Sequence, residues 1–104
     1  MKQLVVLGFG TVGSGVAELL ERNRPYLKQY YNQEMELAGI LVRRPGNYTS
    51  CGFVHLMTTD FSDLLGRSPD IAVEAMGGIE PAHTYVKQLL MRGISVVTAN
   101  KDLI

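Results

Sequence analysis

The feature that most constrains this chain is a set of three glycines with the spacing GxGxxG, in Gly8-Phe9-Gly10-Thr11-Val12-Gly13. A compact apolar run from Leu4 to Leu7 precedes the glycines and has the character of a buried strand. The segment after them repeats apolar residues at the spacing of one helical face, at Val12, Val16, Leu19 and Leu20. A strand, a glycine turn and an amphipathic helix in this order predict a βα unit of the dinucleotide-binding type.

Each of the three glycines has a mechanical reason in such a turn. Gly8 permits the tight turn from strand to helix, Gly10 lets a pyrophosphate approach the backbone, and Gly13 lets the helix pack close to the strand. Unpaired backbone N–H groups near Thr11 and Val12, with the helix dipole behind them, form an anion site. We therefore predict that the turn binds a cofactor through Gly8, Phe9, Gly10, Thr11, Val12 and Gly13. A turn that needs glycine and binds nothing is the alternative.

Near-continuous apolar runs recur along the chain, at Leu4 to Leu7, Leu37 to Val42, Ile71 to Val73 and Ile94 to Val97. Such runs are typical of strands that are covered on both faces. Val54 to Met57 is a candidate for one more short strand, after a loop from Arg43 to Gly52 that is rich in turn formers. Helical segments separate the runs. The pattern predicts one domain over residues 1–104 with a Rossmann-type three-layer α/β fold, whose mostly parallel, doubly wound sheet is truncated after the fifth strand.

Two further helices are indicated by their spacing and their end signals. One has an apolar face at Tyr85, Val86, Leu89 and Leu90, with Pro81 suited to its first turn and Gly93 to its end. The other is shorter and runs from Phe61 to Leu65, with Asp60 as its N-cap and Gly66 at its end. The segment from Pro25 to Asn32 either extends the first helix or forms a turn of its own.

Composition limits the kinds of partner. Ten Lys and Arg balance ten Asp and Glu among 104 residues, and this net charge of zero argues against a nucleic-acid partner. No apolar run approaches the roughly 20 residues that span a bilayer, so we expect no membrane partner. Cys51 is the single cysteine, and His55 and His83 lack partners at metal-ligand spacing, so we predict no metal site. The cysteine usage and the short N-terminal apolar stretch fit a cytoplasmic protein.

The residues after the second apolar run indicate which dinucleotide binds. An acidic residue there would accept a hydrogen bond from the ribose 2′-hydroxyl and favour NAD. Arg43 and Arg44 stand there instead, and two guanidinium groups suit a 2′-phosphate. Glu34 and Glu36 precede the run and so belong at the far end of the strand. We predict NADP as the cofactor, with NAD possible; two solvated loop charges are the alternative interpretation of the arginines.

Three segments together resemble the homoserine dehydrogenases. Gly8-Phe9-Gly10-Thr11-Val12-Gly13-Ser14-Gly15-Val16 is similar to the family's N-terminal motif. Val73-Glu74-Ala75-Met76-Gly77-Gly78-Ile79-Glu80-Pro81-Ala82 resembles its segment after the fourth strand, and Val96-Val97-Thr98-Ala99-Asn100-Lys101 its Thr-Ala-Asn-Lys signature after the fifth. The resemblance covers essentially the whole chain, and the second and third segments are more specific than the glycine turn.

The resemblance implies the N-terminal NAD(P)-binding domain of an oxidoreductase that interconverts L-homoserine and L-aspartate 4-semialdehyde, in threonine and methionine biosynthesis. It also implies that a dimerisation region and a catalytic domain lie beyond this chain, with a small amino-acid substrate and a homo-oligomer for the full enzyme. The fragment alone is then expected to be inactive. A nucleotide-sensing Rossmann module without catalysis and a related two-domain dehydrogenase with another small substrate are the alternatives.

The resemblance also points to residues after the fourth and fifth strands, where ligands of open parallel sheets bind. The cofactor-binding residues expected there are Met76, Gly77, Gly78, Thr98, Asn100 and Lys101. By resemblance, Lys101 is the catalytic residue: it should face the nicotinamide and the substrate and assist binding or proton handling of the reacting oxygen. Without the family, Lys101 is an ordinary solvated lysine near a helix start, with Asn100 as the N-cap.

Overall fold

Strands and helices alternate along the chain, as the apolar runs predict. The computed structural model describes residues 1–48 and 51–100. Within these residues the strands are β1 (Lys2–Leu7), β2 (Met35–Leu41), β3 (Met57–Thr58), β4 (Ile71–Glu74) and β5 (Ser95–Thr98), and the α-helices are α1 (Thr11–Tyr31), α2 (Phe61–Gly66) and α3 (Ala82–Met91). Two single 3-10 turns, Pro45–Tyr48 and Val54–Leu56, lie between β2 and β3.

The described strands form one parallel sheet in the order β3-β2-β1-β4-β5. The chain starts at the central strand β1, builds outwards through β2 and β3, and then crosses back to place β4 and β5 on the other side. The strand order therefore reverses between β1 and β4, and a ligand crevice is expected beyond the carboxyl ends of these two strands. The predicted α/β fold with a doubly wound sheet is confirmed.

Alternate side chains of the sheet enter two separate apolar clusters, which makes the fold three layers thick. One cluster joins the sheet to α1 and is formed by Leu4, Val6, Ala17, Leu20, Leu37, Ile40, Val42 and Val73. The other joins the opposite face to α2 and α3 and is formed by Val5, Leu7, Leu41, Phe61, Leu64, Ala72 and Leu89. Because both faces are covered, the strands read as apolar runs and not as an alternation of apolar and polar residues.

A bulge in β2 resets the register of the sheet next to β1. Leu4 pairs with Leu37 but Val5 pairs with Gly39, so Ala38 is an extra residue in β2. The Arg67 guanidinium donates through Nη1 to the carbonyl oxygens of Ala38 at 3.0 Å and Leu56 at 2.9 Å. The side chain at the end of α2 thus satisfies a carbonyl that the bulge exposes, and it fastens β2 to the turn before β3.

The helical face predicted for α1 is partly wrong. Val12 and Leu19 are exposed, whereas Gly13, Ala17 and Leu20 are buried against the sheet. Leu20 and the partly buried Val16 pack on the core as predicted. Beside them packs the small residue Ala17, and Gly13 leaves no room for a larger side chain because a Cβ there would meet the Gly8 carbonyl oxygen. Pro25 lies inside the helix, which continues without interruption to Tyr31, so the segment left open by the sequence extends α1.

The other predicted elements differ only in detail. Asp60 caps α2 by accepting a hydrogen bond from the Ser62 N–H at 2.9 Å, and α2 ends at Gly66 as expected. The chain follows Pro81 into α3 and leaves it before Gly93, which has a φ of +76°. The segment Val54–Leu56 is a 3-10 turn, and the candidate short strand expected at Val54 to Met57 is reduced to Met57–Thr58.

Among the helices of residues 1–48 and 51–100, none combines the length and the apolar character that crossing a membrane requires.

Candidate functional site

A wide cleft of about 790 Å³ lies at the carboxyl edge of the sheet, over the ends of β1 and β2. Its walls come from the glycine turn, the end of β2, the 3-10 turn after it and the segments on either side of α3's start. The lining residues are Gly8, Phe9, Gly10, Leu41, Val42, Arg43, Arg44, Asn47, Tyr48, Thr59, Ala75, Met76, Pro81 and Tyr85. The cleft therefore lies where the topology predicts a crevice, and it contains much of the sequence-predicted site.

The glycine turn is fixed by backbone contacts. A Cβ at Gly8, whose φ is +97°, would stand 2.8 Å from the Ala75 carbonyl oxygen, and a Cβ at Gly13 would stand 2.2 Å from the Gly8 carbonyl oxygen. Real Cβ atoms do not occur at such distances, so both positions require glycine. At Gly10, by contrast, no heavy atom of the described residues other than Gly10 and its two chain neighbours lies within 4 Å of the Cβ position. Space is thus kept open at the middle glycine.

The N-terminus of α1 opens into this space. Gly10 is the N-cap in an extended conformation, and the Ser14 N–H donates to its carbonyl oxygen at 2.9 Å. The N–H groups of Thr11, Val12 and Gly13 precede that first helical bond and have no acceptor within the helix. No side chain of the described residues caps this end, and the first turn carries no acidic residue. The helix therefore presents donors and the positive end of its dipole at the mouth of the cleft.

Phe9, the residue between the first two glycines, is half-buried, with its ring in an aromatic cluster. The ring packs edge-on against Tyr48, with centroids 5.4 Å apart, and against Phe53, with centroids 6.1 Å apart. These contacts join the glycine turn to the 3-10 turn after β2. Phe9 thus supports the wall of the cleft, and its ring fixes the position of the turn relative to the segment that carries the arginines.

Arg43 and Arg44 are both exposed and line the wide cleft beside Asn47 and Tyr48. They follow directly after Val42, whose N–H donates to the Thr58 carbonyl oxygen at 2.9 Å and so continues the pairing with β3. Neither guanidinium forms an ion pair with another described side chain. Two positive charges therefore face the cleft at the end of β2.

Glu34 and Glu36 lie at the opposite edge of the sheet from the arginines. Met35 and Glu36 pair with the first residues of β1, and Glu34 precedes them. The Glu34 carboxylate forms an ion pair with the Lys28 ammonium at 3.1 Å, and this contact holds the pKa of Glu34 below its ordinary value. Their position matches the expectation that they belong at the far end of the strand from the arginines.

A second, narrower groove of about 370 Å³ adjoins the wide cleft and runs towards β5. It is lined by Thr11, Val12, Ala75, Met76, Gly77, Ala99 and Asn100, and it shares Ala75 and Met76 with the wide cleft. Gly77 and Gly78 are exposed, with φ values of +77° and +73°. The helix N-terminus therefore lies between the two depressions, with predicted residues on both sides of it.

The side wall of the narrow groove is organised by Glu74, a residue that the sequence reasoning missed. Glu74 is fully buried, and its carboxylate accepts hydrogen bonds from the Thr98 hydroxyl at 2.6 Å, the Met76 N–H at 2.8 Å and the Asn100 amide at 3.4 Å. The Asn100 amide also donates to the Gly78 carbonyl oxygen. The side chains of Thr98 and Asn100 are thus engaged with Glu74, so a cofactor would meet the segments that these side chains hold in place.

Most of the sequence-predicted residues are therefore brought to one edge of the sheet. Lys101, predicted as the catalytic residue, lies outside the described residues. Sequence reasoning also missed Asn47, Tyr48, Thr59, Pro81 and Tyr85 as cleft-lining residues. One feature of the sequence could have identified Glu74 as a site residue, because it places a carboxylate at the end of an otherwise apolar strand. The sequence of the 3-10 turn after β2 has no comparable feature.

Comparisons with known proteins bear on the same residues. Residues 8–104 match the family model described as homoserine dehydrogenase, NAD binding domain. Over 97% of its length the chain is 35% identical to homoserine dehydrogenase of Lactococcus lactis, of which it covers 24%. It is 41% identical to homoserine dehydrogenase of Mycobacterium bovis, again over 97% of its own length and 23% of that protein.

The fold agrees with a solved structure of the same kind. A crystal structure of S. aureus homoserine dehydrogenase superposes with a TM-score of 0.91 and 37% identity, covering 99% of this chain and 26% of that one. The chain spans about a quarter of the length of the curated relatives it matches. The family model covers nearly all of the sequence, and the solved structure carries the same parallel sheet. The chain belongs to the family of homoserine dehydrogenase NAD-binding domains.

Proposed function

We propose that this chain binds NADP, with the diphosphate at the N-terminus of α1 and the adenosine half in the wide cleft. The observation that carries the proposal is the open space at Gly10, in front of a helix N-terminus that no described side chain caps. A Cβ at that position would occupy the approach to the backbone donors. The N–H groups of Thr11, Val12 and Gly13 would hold the diphosphate there, with charge supplied by the helix dipole.

The wide cleft suits the adenosine half in size and chemistry. Its volume of about 790 Å³ falls in the range usual for small-ligand sites. Leu41, Val42 and Tyr48 supply apolar surface, and Arg43 and Arg44 supply the two positive charges at its rim. Because no carboxylate stands at the end of β2 to accept from a ribose 2′-hydroxyl, the pair of guanidinium groups favours the 2′-phosphate of NADP over NAD.

The nicotinamide half would then lie along the narrow groove, beside Met76, Gly77 and Gly78 and the segment from Thr98 to Asn100. A bound nicotinamide supplies a carbon that accepts or donates hydride, while the protein orients it. For a longer protein that contains this domain we propose the interconversion of L-homoserine and L-aspartate 4-semialdehyde. Lys101 would there bind the substrate or handle the proton of its reacting oxygen. Cytoplasmic location and a homo-oligomer belong to the same proposal.

The experiment that tests the cofactor compares NADP and NAD binding by calorimetry. The double variant Arg43→Ala, Arg44→Ala should weaken NADP binding about tenfold to a hundredfold, because charge-assisted hydrogen bonds to a phosphate are lost. NAD binding should change by less than about threefold. Equal losses for the two cofactors would contradict the assignment of the arginines.

The matched control removes the same amount of charge elsewhere. Arg22 on α1 and Arg92 after α3 are exposed and do not line the wide cleft. The variant Arg22→Ala, Arg92→Ala should leave the ratio of NADP to NAD affinity unchanged. A second assay tests the expectation that this chain alone is inactive: homoserine-dependent formation of NADPH by residues 1–104 would contradict it.

A further inference from the structure

The contact between the ends of β4 and β5 is made by an unusual group, the buried carboxylate of Glu74. Its carboxylate is withdrawn completely from water, at the end of β4, in the middle of the sheet's carboxyl edge. Burying a charged group is costly unless hydrogen bonds replace its hydration. Within the described residues the carboxylate has three neutral donors and no cationic partner. An apolar residue at this position would hold β4 and β5 together without that cost.

The donors to Glu74 come from the two segments that line the narrow groove. Met76 lies in the segment after β4, and Thr98 and Asn100 lie at and after the end of β5. Thr98 extends the network, because its Oγ1 donates to Glu74 and accepts from the Asn100 N–H at 3.0 Å. Asn100 closes it by donating to the Gly78 carbonyl oxygen. One carboxylate therefore links the two segments beyond the end of the β4–β5 pairing, in addition to the backbone bond from the Ala99 N–H to the Glu74 carbonyl oxygen at 3.0 Å.

We propose that Glu74 is a positioning residue for the nicotinamide half of the cofactor: its buried carboxylate holds the Met76–Gly78 and Thr98–Asn100 segments at the spacing that admits the nicotinamide. This inference rests on the proposed function, since it assigns the narrow groove to that half of NADP. Glu74 does not itself touch the ligand. Its removal should therefore disturb the nicotinamide end and spare the adenosine end, which is built from the glycine turn and from Arg43 and Arg44.

The test compares two probes that differ only in the nicotinamide ring. NADPH carries the ring, and 2′-phospho-ADP-ribose has the rest of the molecule. In Glu74→Gln the side chain keeps its shape but loses its charge and one acceptor. We expect NADPH binding to weaken about tenfold, the scale of one lost charged hydrogen bond, with 2′-phospho-ADP-ribose binding unchanged within about twofold. The fluorescence shift of bound reduced nicotinamide should shrink in the variant. Glu18→Gln, at an exposed carboxylate on α1, is the matched control and should change neither affinity.

Each of the other possible results would contradict the proposal, and each would identify a different reason for its failure. Equal weakening of both probes in Glu74→Gln would mean that Glu74 supports the fold in general, and no change in either would mean that it positions nothing. If the unaltered protein binds neither probe, the proposed function itself fails. Where circular dichroism shows that Glu74→Gln is unfolded, Thr98→Val is titrated in its place. It removes one donor and keeps the carboxylate, and the same selective loss of NADPH affinity is expected.

Discussion

The glycine turn and the segments after β4 and β5 lie on either side of the α1 N-terminus, yet they are constructed differently. The glycine turn is held by direct backbone contact, with a Cβ at Gly13 only 2.2 Å from the Gly8 carbonyl oxygen. The segments after β4 and β5 are held by side-chain hydrogen bonds to the buried Glu74. The glycine turn depends on the absence of side-chain atoms, whereas the segments after β4 and β5 depend on the presence of particular side chains.

This difference determines what each part tolerates. A backbone contact allows no conservative replacement, because the smallest side chain already collides. A hydrogen-bond network allows replacements that keep the donor. The free energy of unfolding falls stepwise as donors are removed from the network. The two parts should therefore respond differently to the same kind of small substitution, and variants that add or remove a single group measure that difference.

The largest effect is expected at the backbone contact. Gly13→Ala places a Cβ against the Gly8 carbonyl and forces α1 away from β1, which should lower the free energy of unfolding by about 3 kcal/mol. Gly15→Ala is the control within the same helix, since apart from its chain neighbours and the backbone of its own helix no heavy atom of the described residues lies within 4 Å of its Cβ position. It should raise the free energy of unfolding by about 0.5 to 1 kcal/mol through helix propensity. Urea unfolding measures both; a tolerated Gly13→Ala would show that α1 can shift freely.

An intermediate effect is expected in the hydrogen-bond network. Thr98→Val keeps the shape of the side chain but leaves one oxygen of the buried Glu74 carboxylate without its donor, and should lower the free energy of unfolding by about 2 kcal/mol. Thr98→Ser keeps the hydroxyl and should cost less than about 1 kcal/mol. If Thr98→Val loses no more than Thr98→Ser in urea unfolding, the hydrogen bond to Glu74 contributes no more than the methyl group, and the expected order is contradicted.

The same difference explains what the sequence could predict. The glycine turn was recognisable from six consecutive residues because its constraint is the identity of the glycines themselves. The strands were recognisable because burial on both faces leaves continuous apolar runs. The arginines at the end of β2 could be placed because strand direction alone puts them at the carboxyl edge.

What could not be predicted depends on contacts between distant residues. Glu74 meets Thr98 and Asn100 across 24 and 26 residues of chain, and only the pairing of β4 with β5 brings them together. The predicted helical face of α1 is partly wrong for a different reason. Apolar spacing predicts Val12 and Leu19 on that face, but the helix turns Ala17 to the sheet, beside Gly13, whose close packing the glycine motif predicts. Periodicity indicates that a face exists, and packing decides which residues form it.

The smallest effect is expected at a second carboxylate of the same region, which is exposed where Glu74 is buried. Glu80 precedes α3 and accepts from the Thr84 hydroxyl at 2.6 Å, with His83 Nδ1 at 3.3 Å from its other oxygen. The Thr84 hydrogen bond is the main cause that holds the pKa of Glu80 below its ordinary value of 4.5. A carboxyl whose pKa is lowered by folding stabilises the fold above its unfolded pKa, and this contribution is lost as the pH falls through the folded pKa.

Glu80→Gln should therefore lower the free energy of unfolding slightly at neutral pH, and the difference from the unaltered protein should disappear as the pH falls below the lowered pKa. Urea unfolding between about pH 7 and about pH 3 follows this difference. Thr84→Val removes the main cause and should lose the same pH-dependent part while keeping the carboxylate. A difference that persists unchanged in acid would assign the effect of Glu80 to packing at the start of α3. The contrast between Glu80 and Glu74 would then lie in how deeply each side chain is buried and not in its charge.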